Sequence, residues 1–238
     1  MLITYWSDYA CPFCYIGERR LKKAIADIPE LQDAELEMKA FELDPTFTGS
    51  AFGETQERFA RKYGISLEEA GRTVENISRM GRDEGIDFRY ATSVYCNTMD
   101  AHRLTKLAES KGDGGLTDKV IERLFAAYYT DNLDVSDPQL LLSIGEECGL
   151  DPQETAQVLN SDLYKDEVIL DEREAARYRI QAVPFFIIGR YGLSGAQPVE
   201  TFKEVILKAL EEEKEAEVQA GKENQAAQGL SCGPDGCK

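Results

Sequence analysis

The stretch that decides the fold lies near the start of the chain, where residues 6–17 read Trp-Ser-Asp-Tyr-Ala-Cys-Pro-Phe-Cys-Tyr-Ile-Gly. A short apolar run over residues 2–6 leads into it and predicts the first strand. Pro12 stands where a proline fits the first turn of a helix, and apolar residues at helical spacing extend that helix to about residue 27. The two cysteines of a C-x-x-C motif, Cys11 and Cys14, are therefore expected between a strand and a helix.

Cys11 is the predicted N-cap residue of that helix. Its sulfur then lies near the open amide N–H groups of the first turn, among them the N–H of Cys14, and at the positive end of the helix dipole. Both effects favour the thiolate, which is the species that attacks disulfides. The motif thus predicts a redox centre in which Cys11 forms a mixed disulfide and Cys14 resolves it. Because zinc sites use the same spacing, a zinc or inert disulfide site stays an alternative.

The rest of the chain contains a helical block between two strand-bearing parts. Residues 35–41 alternate polar and apolar side chains, which is typical of a half-buried strand. Residues 46–158 predict only helices, with a capping box at 66–69 and Asp-Pro helix starts at 137–138 and 151–152. A buried strand is expected at 183–188, a hairpin turn at 189–192 and a last helix from Pro198. This order predicts an α/β domain interrupted by a helical subdomain.

Three segments of the chain resemble the DsbA-like oxidoreductases, specifically their cytoplasmic FrnE-like branch. They are residues 6–17, residues 97–104 (Asn-Thr-Met-Asp-Ala-His-Arg-Leu) and residues 183–186 (Val-Pro-Phe-Phe). The resemblance implies an α/β thioredoxin-like fold with an inserted all-helical subdomain. We accordingly place the thioredoxin-like domain at 1–45 and 159–215, the insertion at 46–158 and a flexible C-terminal tail at 216–238.

The same resemblance implies roles for several residues. Cys11 is expected to be the exposed nucleophile, Cys14 its partner and Pro184 a catalytic cis-proline that faces them, although Pro184 also fits an ordinary strand start. A cis-proline here would turn the Val183 backbone toward the cysteines, where it pairs with an extended substrate. Pro12 and Phe13, between the cysteines, are expected to contact that substrate as well.

Phe13 departs from the best-known DsbA proteins, which carry a histidine between their cysteines. An imidazolium at that position stabilises the thiolate, and a phenylalanine cannot. We therefore expect a weaker oxidant than those proteins, one able to work as a reductase or isomerase in a reducing cytoplasm.

Composition restricts the partners and the compartment. The net charge of −17 disfavours nucleic acid, and no run of residues is apolar enough for a membrane helix. The N-terminal residues lack the pattern of a secretory signal, so we expect a cytoplasmic protein. The expected partners are protein or small-molecule thiols and disulfides. We predict no resident cofactor and no metal, with glutathione as a candidate co-substrate.

The remaining cysteines and the single histidine have weaker interpretations. Cys232 and Cys237 are a C-x₄-C pair flanking turn residues, and we hypothesise that they exchange electrons with the first pair; a joint zinc site, or no role, stays open. Cys96 and Cys148 are interpreted as buried core residues. His102 is interpreted as a satisfied helix residue, with a proton relay or metal ligand as the alternative.

Two other classes of function compete with disulfide exchange. The 2-hydroxychromene-2-carboxylate isomerases and kappa glutathione transferases share this fold and insertion, and they act with glutathione. Those enzymes typically carry serine at the position of Cys11, so the cysteine pair favours exchange. The other class is a metal-binding or chaperone module that uses both cysteine pairs.

Overall fold

The computed structural model describes residues 1–31 and 34–228, with side chains described as far as residue 216. Its strands and helices alternate in the order that the sequence predicts, with most of the helices in the middle of the chain. In chain order they are β1 (Leu2–Ser7), α1 (Pro12–Ala26), β2 (Glu35–Ala40), β3 (Ser50–Ala51), α2 (Thr55–Tyr63), α3 (Leu67–Asp83), β4 (Tyr95–Cys96), α4 (Met99–Glu109), α5 (Gly114–Tyr129), α6 (Pro138–Cys148), α7 (Pro152–Leu159), α8 (Lys165–Arg177), β5 (Phe185–Ile188), β6 (Tyr191–Ser194) and α9 (Val199–Gln228). Short 3₁₀ turns add Pro29–Leu31 and Tyr90–Thr92.

A four-stranded sheet of order β2-β1-β5-β6 carries the site. Strands β1 and β2 run parallel, and α1 is the crossover that a parallel pair requires. Strand β5 is antiparallel to β1, with Phe185 opposite Trp6, and β6 continues the hairpin. The end of β1 and the start of β5 therefore meet at one edge of the sheet. This edge brings the cysteine motif next to Val183 and Pro184.

The middle of the chain is a set of helices with the starts that the sequence predicts. Ser66 and Glu69 form the capping box of α3, while Asp137 and Asp151 cap α6 and α7 ahead of their prolines. The structure adds one feature, a two-residue ladder in which Ser50 pairs with Cys96. Pairs this short show no alternation in the sequence, which is why the pattern indicates helices only.

Aromatic side chains join the sheet-bearing part to the helical part. The ring of Tyr15 in α1 stacks on that of Phe125 in α5 with centroids 4.8 Å apart, and Phe88 stacks on Tyr129 at 4.6 Å. Trp6 in β1 donates its indole N–H to the backbone oxygen of Asp171 in α8 at 3.0 Å. One hydrophobic core thus includes α1, β1 and the helices of the middle block.

The last helix is longer than its apolar face. Phe202 and Ile206 are buried against the sheet, and the Glu-, Lys- and Ala-rich sequence that follows carries α9 past residue 216 to Gln228. Cys232 and Cys237 lie outside the described residues. Within the described ranges, no helix combines the length and apolar composition that crossing a bilayer requires. The domain boundaries at 45/46 and 158/159 stay predictions.

Candidate active site

The first cysteine lies where the chain turns from β1 into α1. Cys11 has the extended backbone of an N-cap residue, with φ −98° and ψ 111°, and Pro12 follows at the first helical position. The Cys11 N–H donates to the backbone oxygen of Asp8 at 3.0 Å, which closes the turn. The predicted N-cap is confirmed.

The sulfur of Cys11 makes a different contact from the expected one. No backbone N–H of the first turn of α1 donates to its sulfur, and the N–H of Cys14 donates to the Cys11 carbonyl at 3.0 Å. The Cys11 thiol instead donates to the carbonyl oxygen of Val183 at 3.4 Å. A protonated thiol can donate a hydrogen bond to a carbonyl oxygen. The predicted contact with the N–H groups of the helix would require the sulfur to accept hydrogen bonds instead.

Cys11 is also less accessible than the resemblance implies. Only 5% of its surface is exposed, so the expectation of an exposed nucleophile is wrong for this structure. Its sulfur contacts the Val183 carbonyl and faces a cavity that residues of α2 and Tyr90 also line. Phe13, by contrast, is 37% exposed at the edge of that cavity.

Cys14 lies one turn deeper and is almost fully buried. Its sulfur accepts the backbone N–H of Asp8 at 3.4 Å. Burial raises the pKa of the Cys14 thiol well above that of a free cysteine, and the hydrogen bond and charge of Cys11 raise it further, against the lowering by Asp8 and Ser7. Cys14 therefore stays protonated at neutral pH and is the poorer of the two as a first attacking group.

The chain opposite the cysteines is the turn before β5. The Val183–Pro184 peptide bond is cis, as the resemblance implies, and the Pro184 carbonyl accepts the N–H of Gly195 at 2.8 Å. Gly17 in α1 lets this turn approach closely, because a Cβ there would lie 3.1 Å from Cγ of Pro184 and 3.2 Å from Cζ of Phe186. The glycine of the motif is thus explained by contact with the proline.

The carboxylate of Asp8 holds the turn between β1 and α1 by hydrogen bonds. Asp8 was not among the site residues predicted from the sequence. Its carboxylate accepts the N–H of Leu43 at 2.7 Å, the hydroxyl of Thr98 at 2.8 Å and the N–H of Ala10 at 3.2 Å. Nε2 of the buried His102 lies 3.5 Å from the same carboxylate. The signal was present in the sequence, since Asp8 and residues 97–104 belong to two of the three segments that carry the resemblance.

A cavity of about 660 Å³ lies in front of Cys11. One side, which we call the cysteine wall, consists of Cys11, Pro12 and Val183. Another part of the lining, which we call the basic wall, consists of three side chains of α2, namely Arg58, Arg61 and Lys62. Aromatic side chains from several elements also contribute to the lining: Phe13, Phe59, Tyr63, Tyr90, Tyr95 and Tyr128. A volume of this size suits a small molecule or a short stretch of peptide.

A family assignment follows from comparison with known proteins. The DSBA-like thioredoxin domain matches residues 2–207, a range that includes both cysteines and the cis-proline. The chain belongs to this family. DsbA-like proteins act on thiols and disulfides, and the predicted thioredoxin-like fold is confirmed.

Individual relatives of this DsbA-like chain agree with the assignment. The probable DsbA oxidoreductase SCO1869 from Streptomyces coelicolor is 32% identical, with a TM-score of 0.82 over 100% of this chain and 98% of that one. The uncharacterized protein YwbO of Bacillus subtilis (strain 168) is 26% identical over 218 residues, 86% of this chain and 94% of YwbO. A 2-hydroxychromene-2-carboxylate isomerase shares the fold alone, with 15% identity and a TM-score of 0.63 over 98% of this chain and 100% of that one.

The other cysteines of this DsbA-like chain lie away from the cysteine wall. Cys96 and Cys148 are buried free thiols, as predicted, and burial raises the pKa of each. Within residues 1–31 and 34–228, no group of three or more His, Cys, Asp or Glu side chains is arranged to hold a metal. The predicted contacts of Cys232 and Cys237 fall outside those ranges.

Proposed function

We propose that the chain is a thiol–disulfide oxidoreductase that uses the Cys11-Pro12-Phe13-Cys14 motif through a mixed disulfide. One observation carries the proposal: the Cys11 sulfur lies at the start of α1, 3.4 Å from the Val183 carbonyl, beside a cis-proline and in front of an open cavity. Cys14 stands behind it with a protonated, buried sulfur. The arrangement separates an attacking thiol from a resolving thiol.

The reaction starts when the Cys11 thiol loses its proton and the sulfur attacks one sulfur of a substrate disulfide. The substrate S–S bond breaks, a thiolate leaves and takes up a proton, and a Cys11–substrate disulfide forms. Cys14 then attacks the Cys11 sulfur, releases the second substrate thiol and leaves a Cys11–Cys14 disulfide. Two electrons pass from the protein to the substrate. A low-molecular-mass thiol, with glutathione as the candidate, returns the pair to the dithiol.

The substrate contacts follow from the cysteine wall. Val183 offers its backbone carbonyl beside the reacting sulfur, and Pro184 holds that carbonyl in place. Phe13, one-third exposed, offers an apolar surface at the cavity edge. Because Phe13 supplies no charge to stabilise a thiolate, we propose reduction or isomerisation in a reducing cytoplasm as the working direction. Equilibration with glutathione buffers measures this, and a potential as high as about −120 mV would refute it.

The decisive experiment compares single cysteine variants in insulin reduction and in refolding of scrambled ribonuclease. Cys11→Ser is expected to abolish both activities. Cys14→Ser is expected to accumulate the Cys11 mixed disulfide, detectable by mass spectrometry as one added substrate moiety. Cys148→Ser is the matched control, since that thiol is buried against the Lys119 carbonyl and does not line the cavity, and it should keep full activity. Full activity of Cys11→Ser would contradict the proposal.

The same variants test the competing glutathione-dependent isomerase. The cavity beside Cys11, of small-molecule size, is the observation that keeps this candidate. Such an isomerase activates the thiol of glutathione and has no resolving step, so Cys14→Ser would leave its turnover intact. Disulfide exchange instead requires both cysteines. If wild type and Cys14→Ser turn over an isomerase substrate with glutathione at equal rates, the result would favour the isomerase.

We also propose that Cys232 and Cys237 pass electrons to the Cys11–Cys14 pair. Two cysteines spaced C-x₄-C with glycine and proline between them can form a local disulfide. Removing residues 230–238 should then slow turnover with external reductant and leave a single turnover of the pre-reduced protein unchanged. Unchanged turnover in both assays would end this proposal.

A further inference from the structure

The basic wall of the cavity is positively charged, although the chain as a whole is strongly negative. The chain carries a net charge of −17, so its average field repels anions. The cavity lining nevertheless contains three cations, Arg58, Arg61 and Lys62, and one carboxylate, Asp44. Among the residues that the structure describes, the carboxylates that form ion pairs do so with other cations than these three. The basic wall is a local excess of positive charge in front of Cys11.

The one carboxylate of the lining is already engaged. Asp44 accepts the hydroxyl of Tyr95 and that of Thr46, each at 3.1 Å. Its charge therefore contributes to the position of the Tyr95 ring, which in turn contacts Arg58. The three cations of α2 are therefore available to bind an anionic group that enters the cavity.

The guanidinium group of Arg58 is positioned by two aromatic rings. Its guanidinium carbon lies 3.6 Å from the centroid of the Tyr95 ring and 4.9 Å from that of Phe47, whose rings meet edge to face at 4.8 Å. Stacking uses the plane of a guanidinium and leaves the N–H groups along its rim, where they match the two oxygens of a carboxylate. A side chain fixed in this way loses little further entropy when it binds an anion.

We infer that the basic wall selects low-molecular-mass disulfides that carry carboxylates, with Arg58 as the principal contact and Arg61 and Lys62 as support. The inference rests on the proposed disulfide exchange and names its substrate class. The carboxylate binds at α2 while the disulfide bond reaches Cys11, which attacks it as described above. Cys11 is 5% exposed at one side of a cavity of about 660 Å³, so access favours a small, flexible molecule over a folded protein surface.

The test uses three alkyl disulfides of similar size and different charge: 3,3′-dithiodipropionate (anionic), bis(2-hydroxyethyl) disulfide (neutral) and cystamine (cationic). Full-length protein is pre-reduced, mixed with each disulfide in a single turnover, and the released thiol is quantified after acid quench. Comparing each variant with wild type on the same disulfide removes differences in leaving-group pKa. No recycling thiol is needed, because the protein dithiol supplies both electrons.

Arg58→Gln is expected to slow the anionic disulfide about 10- to 100-fold, since one hydrogen bond to a charged group is lost. The rates with the neutral and cationic disulfides should stay within about twofold of wild type. Arg61→Gln with Lys62→Gln should give a smaller loss, again for the anion alone, and the advantage of wild type over Arg58→Gln with the anionic disulfide should shrink as salt is added. The matched control is Arg79→Gln, which removes one exposed cation of α3 outside the cavity.

The outcomes separate this inference from the proposed function. If none of the three disulfides reacts with pre-reduced protein, the exchange reaction itself is absent. If all three react and Arg58→Gln affects them equally, or not at all, the carboxylate preference is overturned while the exchange reaction stands. If wild type and Arg58→Gln reduce insulin equally well, and faster than any of the three small disulfides, the cavity would be assigned to an extended peptide instead.

Discussion

The two walls of the cavity are built in opposite ways. The cysteine wall is buried and positioned by backbone atoms: the Cys11 thiol donates to the Val183 carbonyl, and the Cys11 N–H donates to the Asp8 carbonyl. The basic wall consists of long side chains on one short helix, of which Arg61 and Lys62 are exposed to solvent. The positions of the reacting atoms thus depend on packing and on hydrogen bonds. The proposed choice of substrate depends instead on side chains that the rest of the fold does not require.

This difference has a physical consequence for mutation. A buried, hydrogen-bonded turn has few alternative conformations, so a change there alters stability and chemistry together. An exposed charge can be removed without leaving a cavity or an unpaired buried group, so a change there alters binding alone. The predictions below test how far this separation holds, beginning with the largest expected loss of stability.

The largest loss is expected for Asp8→Ala, on the cysteine side. This change leaves the N–H groups of Leu43 and Ala10 and the hydroxyl of Thr98 without their acceptor in a buried position, and removes the carboxylate that lies 3.5 Å from Nε2 of His102. We expect the free energy of unfolding in urea to fall by about 3 kcal/mol.

Thr98→Val is the control for that loss. It removes one donor to Asp8 and keeps the carboxylate, so the expected cost is about 1 kcal/mol. A loss at Asp8→Ala no larger than that at Thr98→Val would mean that the turn is held by something other than this carboxylate.

The next largest loss is expected near the end of helix α3. Helix α3 packs against α2, and a Cβ added at Gly81 in α3 would lie 2.4 Å from Cγ of the buried Phe88. The ring has nowhere to move within a packed core, so we expect Gly81→Ala to lower the free energy of unfolding by about 2 kcal/mol.

Gly71→Ala in the same helix is its matched control. There the new Cβ meets only the end of the Gln56 side chain, at 3.0 Å, and alanine favours the helix over glycine. We expect a change of less than about 1 kcal/mol. Similar losses at both positions would show that α3 tolerates no added volume, even where the new Cβ meets only the flexible end of a side chain of α2.

A smaller, pH-dependent effect is expected at Glu18, on the helix that carries the cysteines. Burial is the main cause that raises the pKa of Glu18, against the lowering by Lys22. The folded protein therefore holds this proton more tightly than the unfolded chain does. The stability that Glu18 contributes is complete below the ordinary carboxyl pKa and is lost as pH rises through the raised one.

Glu18→Gln isolates that contribution. Lys22 keeps Asp118 as a partner at 2.9 Å, so the variant removes the buried charge without leaving the lysine unpaired. In urea unfolding, the stability of Glu18→Gln relative to wild type should increase by about 1 kcal/mol between pH 4 and pH 7. A relative stability that decreases over that range would reverse the sign and assign Glu18 a stabilising ion pair.

The sequence predicts the cysteine wall far better than the basic wall. Cys11, Cys14 and the strand–helix junction follow from a local motif, and Pro184 follows from a resemblance to proteins that share it. Arg58 carries no such signal, because its significance comes from the rings of Phe47 and Tyr95, which the fold brings together from other segments. Local patterns report local structure, and a cavity between distant elements is not local.

The same reasoning explains the expectation that was wrong. The motif and the resemblance imply an exposed Cys11, since nothing in residues 6–17 indicates what covers them. The Cys11 sulfur contacts the carbonyl of Val183, 172 residues further along the chain. Asp8 was likewise overlooked because its acceptor role appears only when Leu43 and Thr98 arrive beside it.

The smallest effect is expected at the surface of the basic wall. Arg61→Gln combined with Lys62→Gln removes two exposed cations, which form no ion pair among the described residues, and should change the free energy of unfolding by less than about 0.5 kcal/mol. Urea denaturation at neutral pH measures this. Removing positive charge also increases the excess of negative charge on the chain, so any residual loss should disappear as salt is added. A loss above about 1 kcal/mol that persists in salt would mean that these side chains hold α2 in place. The two walls would then be alike in construction, and a loss of anionic substrate in the double variant would have to be attributed to a displaced helix.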